Sequence, residues 1–294
     1  MRYGNYNPAI VYDQNEGAFQ NAEVERYRVK EYRAGAMMQI HGYPIWNTKP
    51  AAGRAKKAQE TNKHQKKVND RRMFQKLERL IAENFVERVD LKVGLDHEGQ
   101  VTPEQAKKAL TQFVDAARRK YKRMGIELRY LYVPQTTTKT GRPSKRPHHH
   151  LIITSCGDRA IIEKLWVHGR AHVEPLQPDK NGLGGLATYL HQHLHGAKRW
   201  VGSRNLVDPQ PSFPKSREIS RRKSCEIATD YEAARTYFEK KYPDHIFLDM
   251  QVSFSEYVSG AYFYVRMRLR DAWTRWNAKG GGKYAKVQSM RRRD

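Results

Sequence analysis

Arg146-Pro147-His148-His149-His150-Leu151-Ile152-Ile153-Thr154 carries a histidine run straight into a β-branched apolar segment with no turn residue between them. That is the pattern of a strand entering a core. Side chains alternate across a strand, so His148 and His150 project from one face, about 6.5–7 Å apart along the chain, while His149 points the other way. Two imidazoles on one face of a rigid strand can share a metal ion.

Working outward, residues 89–96 alternate apolar and polar, which predicts a half-buried strand. Thr102 then caps a helix, with Pro103 at its first position and Gln105 closing a capping box. Ala106, Leu110, Phe113, Val114 and Ala117 form its inner stripe, and Gly125 ends it. A second strand over residues 126–135 returns through a Thr/Lys/Gly/Pro loop into the histidine strand, so the two pair as an antiparallel hairpin. Past the histidines, Asp158 caps a short helix ending at Trp166, and residues 171–176 form a strand. Leu183, Leu186, Ala187, Leu190 and Leu194 mark a further amphipathic helix, with Tyr189, Gln192 and His193 together on its flank. The order strand, helix, strand, strand, helix, strand, helix predicts an α+β fold: a mainly antiparallel central sheet of the split βαβ type, with helices packed on one face.

Composition narrows the partner. The chain has 55 Lys and Arg against 31 Asp and Glu, a net charge of +24, which points to a polyanion, nucleic acid first and an acidic membrane surface second. No apolar run is long enough to span a bilayer and no signal peptide opens the chain, so a cytoplasmic protein is expected. Two cysteines, Cys156 and Cys225, in no CxxC pair exclude a disulfide framework and zinc-finger ligation. Residues 1–68 lack sustained periodicity and are expected to be a basic, largely irregular arm, with Met73, Leu77, Leu80 and Ile81 marking a helix just after it. The expected boundaries are a core over 69–206, a C-terminal extension over 207–270 that continues and packs on that core, and a basic tail over 271–294.

Gln135, the strand His148-His149-His150-Leu151-Ile152-Ile153, the element Leu165-Trp166-Val167-His168-Gly169-Arg170-Ala171, the helix Ala187-Thr188-Tyr189-Leu190 and Arg199-Trp200-Val201-Gly202-Ser203-Arg204-Asn205-Leu206 follow one another in a telling order. In that order and spacing the chain resembles rolling-circle replication initiators of the HUH endonuclease superfamily, in the single-tyrosine branch of bacterial phages and mobile elements. The resemblance implies a ferredoxin-like HUH fold and a nickase that cuts and rejoins single-stranded DNA at a replication origin. It implies His148, His150 and Gln135 as ligands of Mg²⁺ or Mn²⁺, and Tyr189 as the nucleophile that forms a 5′-phosphotyrosine. The family's tyrosine helix reads Tyr-x-x-Lys, whereas this chain has Gln192 at the lysine position, with His193 beside it as a stand-in. Relatives usually carry Glu where Gln135 stands. Arg142, Lys145, Arg146, Lys198, Arg199, Arg204, Arg221 and Arg222 are the candidate DNA contacts. The implied setting is a bacterial host cell, with origin DNA as partner, a host helicase as a candidate second partner, and no membrane.

Two other readings compete. A protein that kept the sheet and lost cleavage would bind origin DNA or RNA without forming an adduct, and the neutral Gln135 and Gln192 motivate that reading. A structural zinc protein would need four strong ligands, which can be assembled only by adding His168 or His172.

Overall fold

The computed structural model describes residues 24–46, 63–137, 143–179, 181–192, 200–213, 218–254, 260–270 and 272. These fall into two compact units, one drawn from 1–69 and 209–274, the other from 70–208. Each unit is built on a five-stranded sheet in which all pairings are antiparallel. With six helices among the described residues, the protein is α+β, as expected.

The histidine strand lies at the centre of the second unit. Its elements are α1 (Lys63–Asn84), β3 (Leu91–Asp96), α2 (Pro103–Arg123), β4 (Tyr130–Thr137), β5 (Pro143–Ile153), α3 (Arg159–Leu165), β6 (Ala171–Pro175), α4 (Gly184–Gln192) and β7 (Val201–Gly202). The strand order is β6-β3-β5-β4-β7, so β5 is flanked on both sides and its backbone groups are paired in both directions. The hairpin β4–β5 has the expected antiparallel pairing, although β4 starts at Tyr130, later than the expected residue 126.

Alternation along these strands builds a core on each side of the sheet. Leu91, Val93, Leu95, Tyr130, Leu151 and Ile153 face α2, whose Ala109, Leu110, Phe113, Val114 and Ala117 fill that side together with Ile162 of α3. Leu131, Val133 and Ile152 face the other way and pack with Phe74, Leu77 and Ile81 of α1 and Leu183, Ala187 and Leu190 around α4. The helix layer expected on one face is α2 with α3; α1 and α4 add a second layer opposite. The caps read from the sequence are present: Thr102 and Gln105 form a reciprocal capping box on α2, and the Asp158 side chain accepts from the Ala160 amide at the start of α3. Asp90 pins the entrance of β3 by accepting from the Val86 and Ser155 amides, both at 2.8 Å, and burial pushes its carboxyl up to about 7.

The first unit corrects the expectation for residues 1–68 and for 207–270. Within the supposed irregular arm lie two long strands, β1 (Val24–Ala34) and β2 (Met37–Trp46), joined by a tight turn. They form a sheet in the order β8-β1-β2-β10-β9 with β8 (Glu218–Ser220), β9 (His245–Phe254) and β10 (Ala261–Leu269). Helices α5 (Arg221–Thr229) and α6 (Tyr231–Lys241) complete a separate core of Tyr27, Val29, Met38, Ile40, Ile227, Phe238, Phe263 and Val265. Residues 209–274 therefore join the N-terminal strands instead of continuing the histidine sheet. The strands escape a pattern search for a physical reason: an inward position of β1 is occupied by Glu31, which is buried and accepts from the Tyr242 hydroxyl. No helix among the described residues is long and apolar enough to cross a membrane, and neither cysteine forms a disulfide.

Candidate active site

The strand registers place the chemistry. Across β6, β3, β5 and β4 one row of partners runs His172, Gly94, His150, Val133, and the next row runs Asp96, His148, Gln135 across β3, β5 and β4. Directly opposed residues share a face, so His148, His150 and the Gln135 position lie on one side of the sheet. The His148 and His150 rings are 5.0 Å apart, centroid to centroid, and nearly perpendicular. Helix α4 crosses this same face.

Ala187 and Leu190 anchor α4 to the sheet, and the intervening flank carries Tyr189. Its ring meets His150 edge-on at 5.1 Å, and its hydroxyl lies 3.4 Å from Nδ1 and 3.5 Å from Nε2 of that imidazole. Both distances are at the outer limit of a hydrogen bond, so the phenol oxygen sits beside the ring instead of being locked to one nitrogen. A nucleophile and a candidate ligand pair, 39 residues apart in the chain, are thus adjacent in space.

Two further side chains complete the face, and both escaped the sequence reading. Lys92 of β3 places its ammonium 5.2 Å from the Tyr189 ring centroid and 2.7 Å from Oε1 of Glu174 on β6. The His172 Nε2 is 3.7 Å from the second Glu174 oxygen. Lys92 draws the Glu174 carboxyl below its ordinary range, first through the hydrogen bond and then through its charge, with His172 adding to the effect. Because both partners are about one-third exposed, the pair contributes no more than about 1 kcal/mol to stability and is readily opened. The signal available in the sequence was the polar stripe of β3, Lys92-x-Gly94-x-Asp96, but which strands flank β5 is a long-range fact that alternation does not give.

The opposite face is built differently. His149 is fully buried, its Nε2 3.2 Å from Nε2 of His97, in an aromatic cluster with Trp166 and His168. Burial first, and the neighbouring His97 second, push His149 down to about 4. The Trp166-Gly169 element docks on the end of β3: the Trp166 indole donates to the Asp96 carbonyl at 2.8 Å, and the Asp96 and Glu98 amides donate to the Arg170 and His168 carbonyls. Gly169 has φ +150°, and a Cβ there would stand 2.3 Å from the Asp96 carbonyl oxygen, so glycine is required.

The other expected site residues are dispersed. Gln192 is exposed at the end of α4. Arg204 lies beyond β7 and lines a cleft of about 820 Å³ with Arg118, Lys122 and Tyr130, on the α2 side of the sheet. Arg221 and Arg222 open α5 in the other unit. Arg142, His193, Lys198 and Arg199 lie outside the described residues, as do the side chains of Gln135, Lys145 and Arg146. Among the described residues no three His, Cys, Asp or Glu side chains are arranged to hold a metal ion, which removes support for a structural zinc centre. The remaining donor set is two imidazoles and the amide position Gln135. It fits a divalent cation that retains water in its other positions, with nitrogen donors favouring Mn²⁺ over Mg²⁺.

Residues 91–194 match the family model of the replication-associated protein ORF2. The matched segment begins with β3 and ends just past α4, so it contains every residue of the face described above, Lys92, Gln135, His148, His150, Glu174 and Tyr189 included. That similarity ties the sheet to replication and to a protein that works on DNA. No match was found among curated proteins or among solved structures.

Proposed function

We propose that this protein initiates replication by nicking and rejoining single-stranded DNA at an origin, with Tyr189 as the attacking group. The observation that carries the reading is the Tyr189 hydroxyl beside His150, on the face that also presents His148 and the Gln135 position. The phenolic oxygen attacks the scissile phosphorus and the bond to the 3′ oxygen breaks. The phenol gives up its proton and the departing oxygen takes one up, leaving a free 3′-hydroxyl and a 5′-phosphotyrosine. Because the phosphodiester is exchanged and not hydrolysed, the same site reverses the step and rejoins the strand.

His148, His150 and Gln135 would hold the divalent cation, Mn²⁺ or Mg²⁺, whose contribution is Lewis-acid neutralisation of charge on the non-bridging oxygens. The chain's own contribution is position. Packing of Ala187 and Leu190 fixes the helix on which Tyr189 rides, and β5 is held between two neighbouring strands so that its imidazoles cannot drift.

The test uses single-stranded oligonucleotides tiled across the replicon that encodes the chain, labelled at the 3′ end and incubated with Mn²⁺. A labelled protein adduct that disappears in Tyr189→Phe supports the reading. Salt-sensitive binding with no adduct on any tile, unaltered by EDTA, replaces it with a binding protein that does not cleave.

A further inference from the structure

Attack on a phosphodiester needs positive charge beside the nucleophile, and imidazoles at neutral pH carry little of it. Lys92 is a full charge in contact with the Tyr189 ring, carried on a flexible four-carbon stem. Its carboxylate partner Glu174 is on the strand next to its own, and both groups are about one-third exposed, so the ion pair faces solvent. Between His150 and His172 the row across the sheet is occupied by Gly94, where a Cβ would touch only the His172 Cβ, at 3.9 Å. The floor of the site is therefore bare backbone, bordered by His150, Lys92 and His172.

We infer that Lys92 is a phosphate-binding residue of this site, parked on Glu174 in the DNA-free protein and transferred to a DNA phosphate beside Tyr189 when a single strand lies over Gly94. The inference rests on the reading of this face as the DNA site, but not on cleavage. A phosphate brought to this floor meets the Glu174 carboxylate as a like charge, so only the Lys92 ammonium turns the corner between β3 and β6 from repulsive to attractive. Exchange of one anionic partner for another leaves the ammonium paired throughout, and the released Glu174 still faces the His172 ring. Glu174 thus competes with DNA for the same cation.

Binding of a fluorescein-labelled oligo(dT) to the full chain, followed by anisotropy over a salt series, reads this without any cleavage. The key variant is Lys92→Met combined with Glu174→Gln, which removes the cation without stranding a carboxylate. It is expected to weaken binding several-fold and to flatten the slope of log K against log salt by about 0.7, the value for one lost single-strand phosphate contact. Lys92→Arg is expected to keep the wild-type slope, and Glu174→Gln alone to bind several-fold tighter, because the competitor is gone. A double variant with the wild-type slope overturns the inference, as does weaker binding by Glu174→Gln. Thermal melts of each variant establish that the sheet is intact. Adduct formation by wild type is scored separately: its absence removes the nickase reading and leaves the Lys92 result standing on the binding data.

Discussion

His148 and His150 stand one residue either side of His149, and almost nothing else about them is the same. The outer two share a face with a tyrosine, an ammonium and a bare glycine floor. The middle one is sealed against His97 and Trp166 and is held neutral by burial. A single strand thus serves as active-site wall on one side and hydrophobic core on the other, and the period of two is all that separates the roles. Residue type alone says little here. The face decides whether an imidazole does chemistry or packing.

The largest effect that tests this division is Tyr189→Phe. Removing one oxygen leaves the ring contacts with His150 in place, so the melting temperature should barely move while adduct formation falls by about a thousandfold or more. A variant that unfolds, or one that still forms the adduct, breaks the assignment. His148→Ala and His150→Ala come next, with a loss of adduct rate on the order of a hundredfold and a reduced response to added Mn²⁺. The same assay on His149→Phe should give a rate close to wild type, and that contrast is the sharpest statement of the two-faced strand.

The acid side of the stability curve measures the buried face directly. With His149 at about 4 in the folded state against an ordinary 6.5, the unfolded chain binds more protons between those values. Its contribution is therefore full above about pH 6.5 and is lost as pH falls towards 4, on the order of 3 kcal/mol in all. Asp90 runs the opposite way. Its carboxyl is raised to about 7, so the folded state holds the extra proton over much of the same range and gains stability as pH falls. The two trends mask each other in the wild-type profile. The difference between wild type and His149→Phe isolates the imidazole: the variant should gain on wild type steadily from pH 6.5 to 4, as read by denaturant midpoints. A constant difference across that range would mean that His149 takes up its proton without cost.

How much of this was legible in the sequence follows from the range of the interactions involved. The β4–β5 hairpin, the Thr102 and Asp158 caps and the amphipathic stripe of α4 are local, written within a few residues of one another, and all are present. The pairing of Tyr189 with the histidines came from the ordered motifs of a resemblance, and the fold brings the two together. Lys92 and Glu174 were not legible, because their proximity depends on β3 lying between β5 and β6, a matter of strand order. The N-terminal strands were missed because Glu31 breaks the apolar alternation from inside the core, and its hydroxyl partner, Tyr242, is 211 residues away. Burial of a carboxylate against a distant phenol is a tertiary fact that no window of β1 contains.

The smallest expected effect tests whether the two faces communicate through the strand ends. Trp166 donates its indole N–H to the Asp96 carbonyl, at the residue of β3 that stands opposite His148. Trp166→Phe keeps most of the aromatic packing with Phe113 and His97 and removes that one hydrogen bond. The acceptor belongs to backbone that also holds the docked Gly169 turn, so the loss should be about 1 kcal/mol, at the level of an ordinary buried hydrogen bond. Adduct formation at saturating DNA should stay within about twofold of wild type, because the His148 ring projects to the other side and β5 remains clamped by β4. If the rate instead falls as steeply as in His148→Ala while the melting temperature holds, the far-side cluster is setting the register of the ligand row. The strand would then act as a lever between its faces instead of a partition.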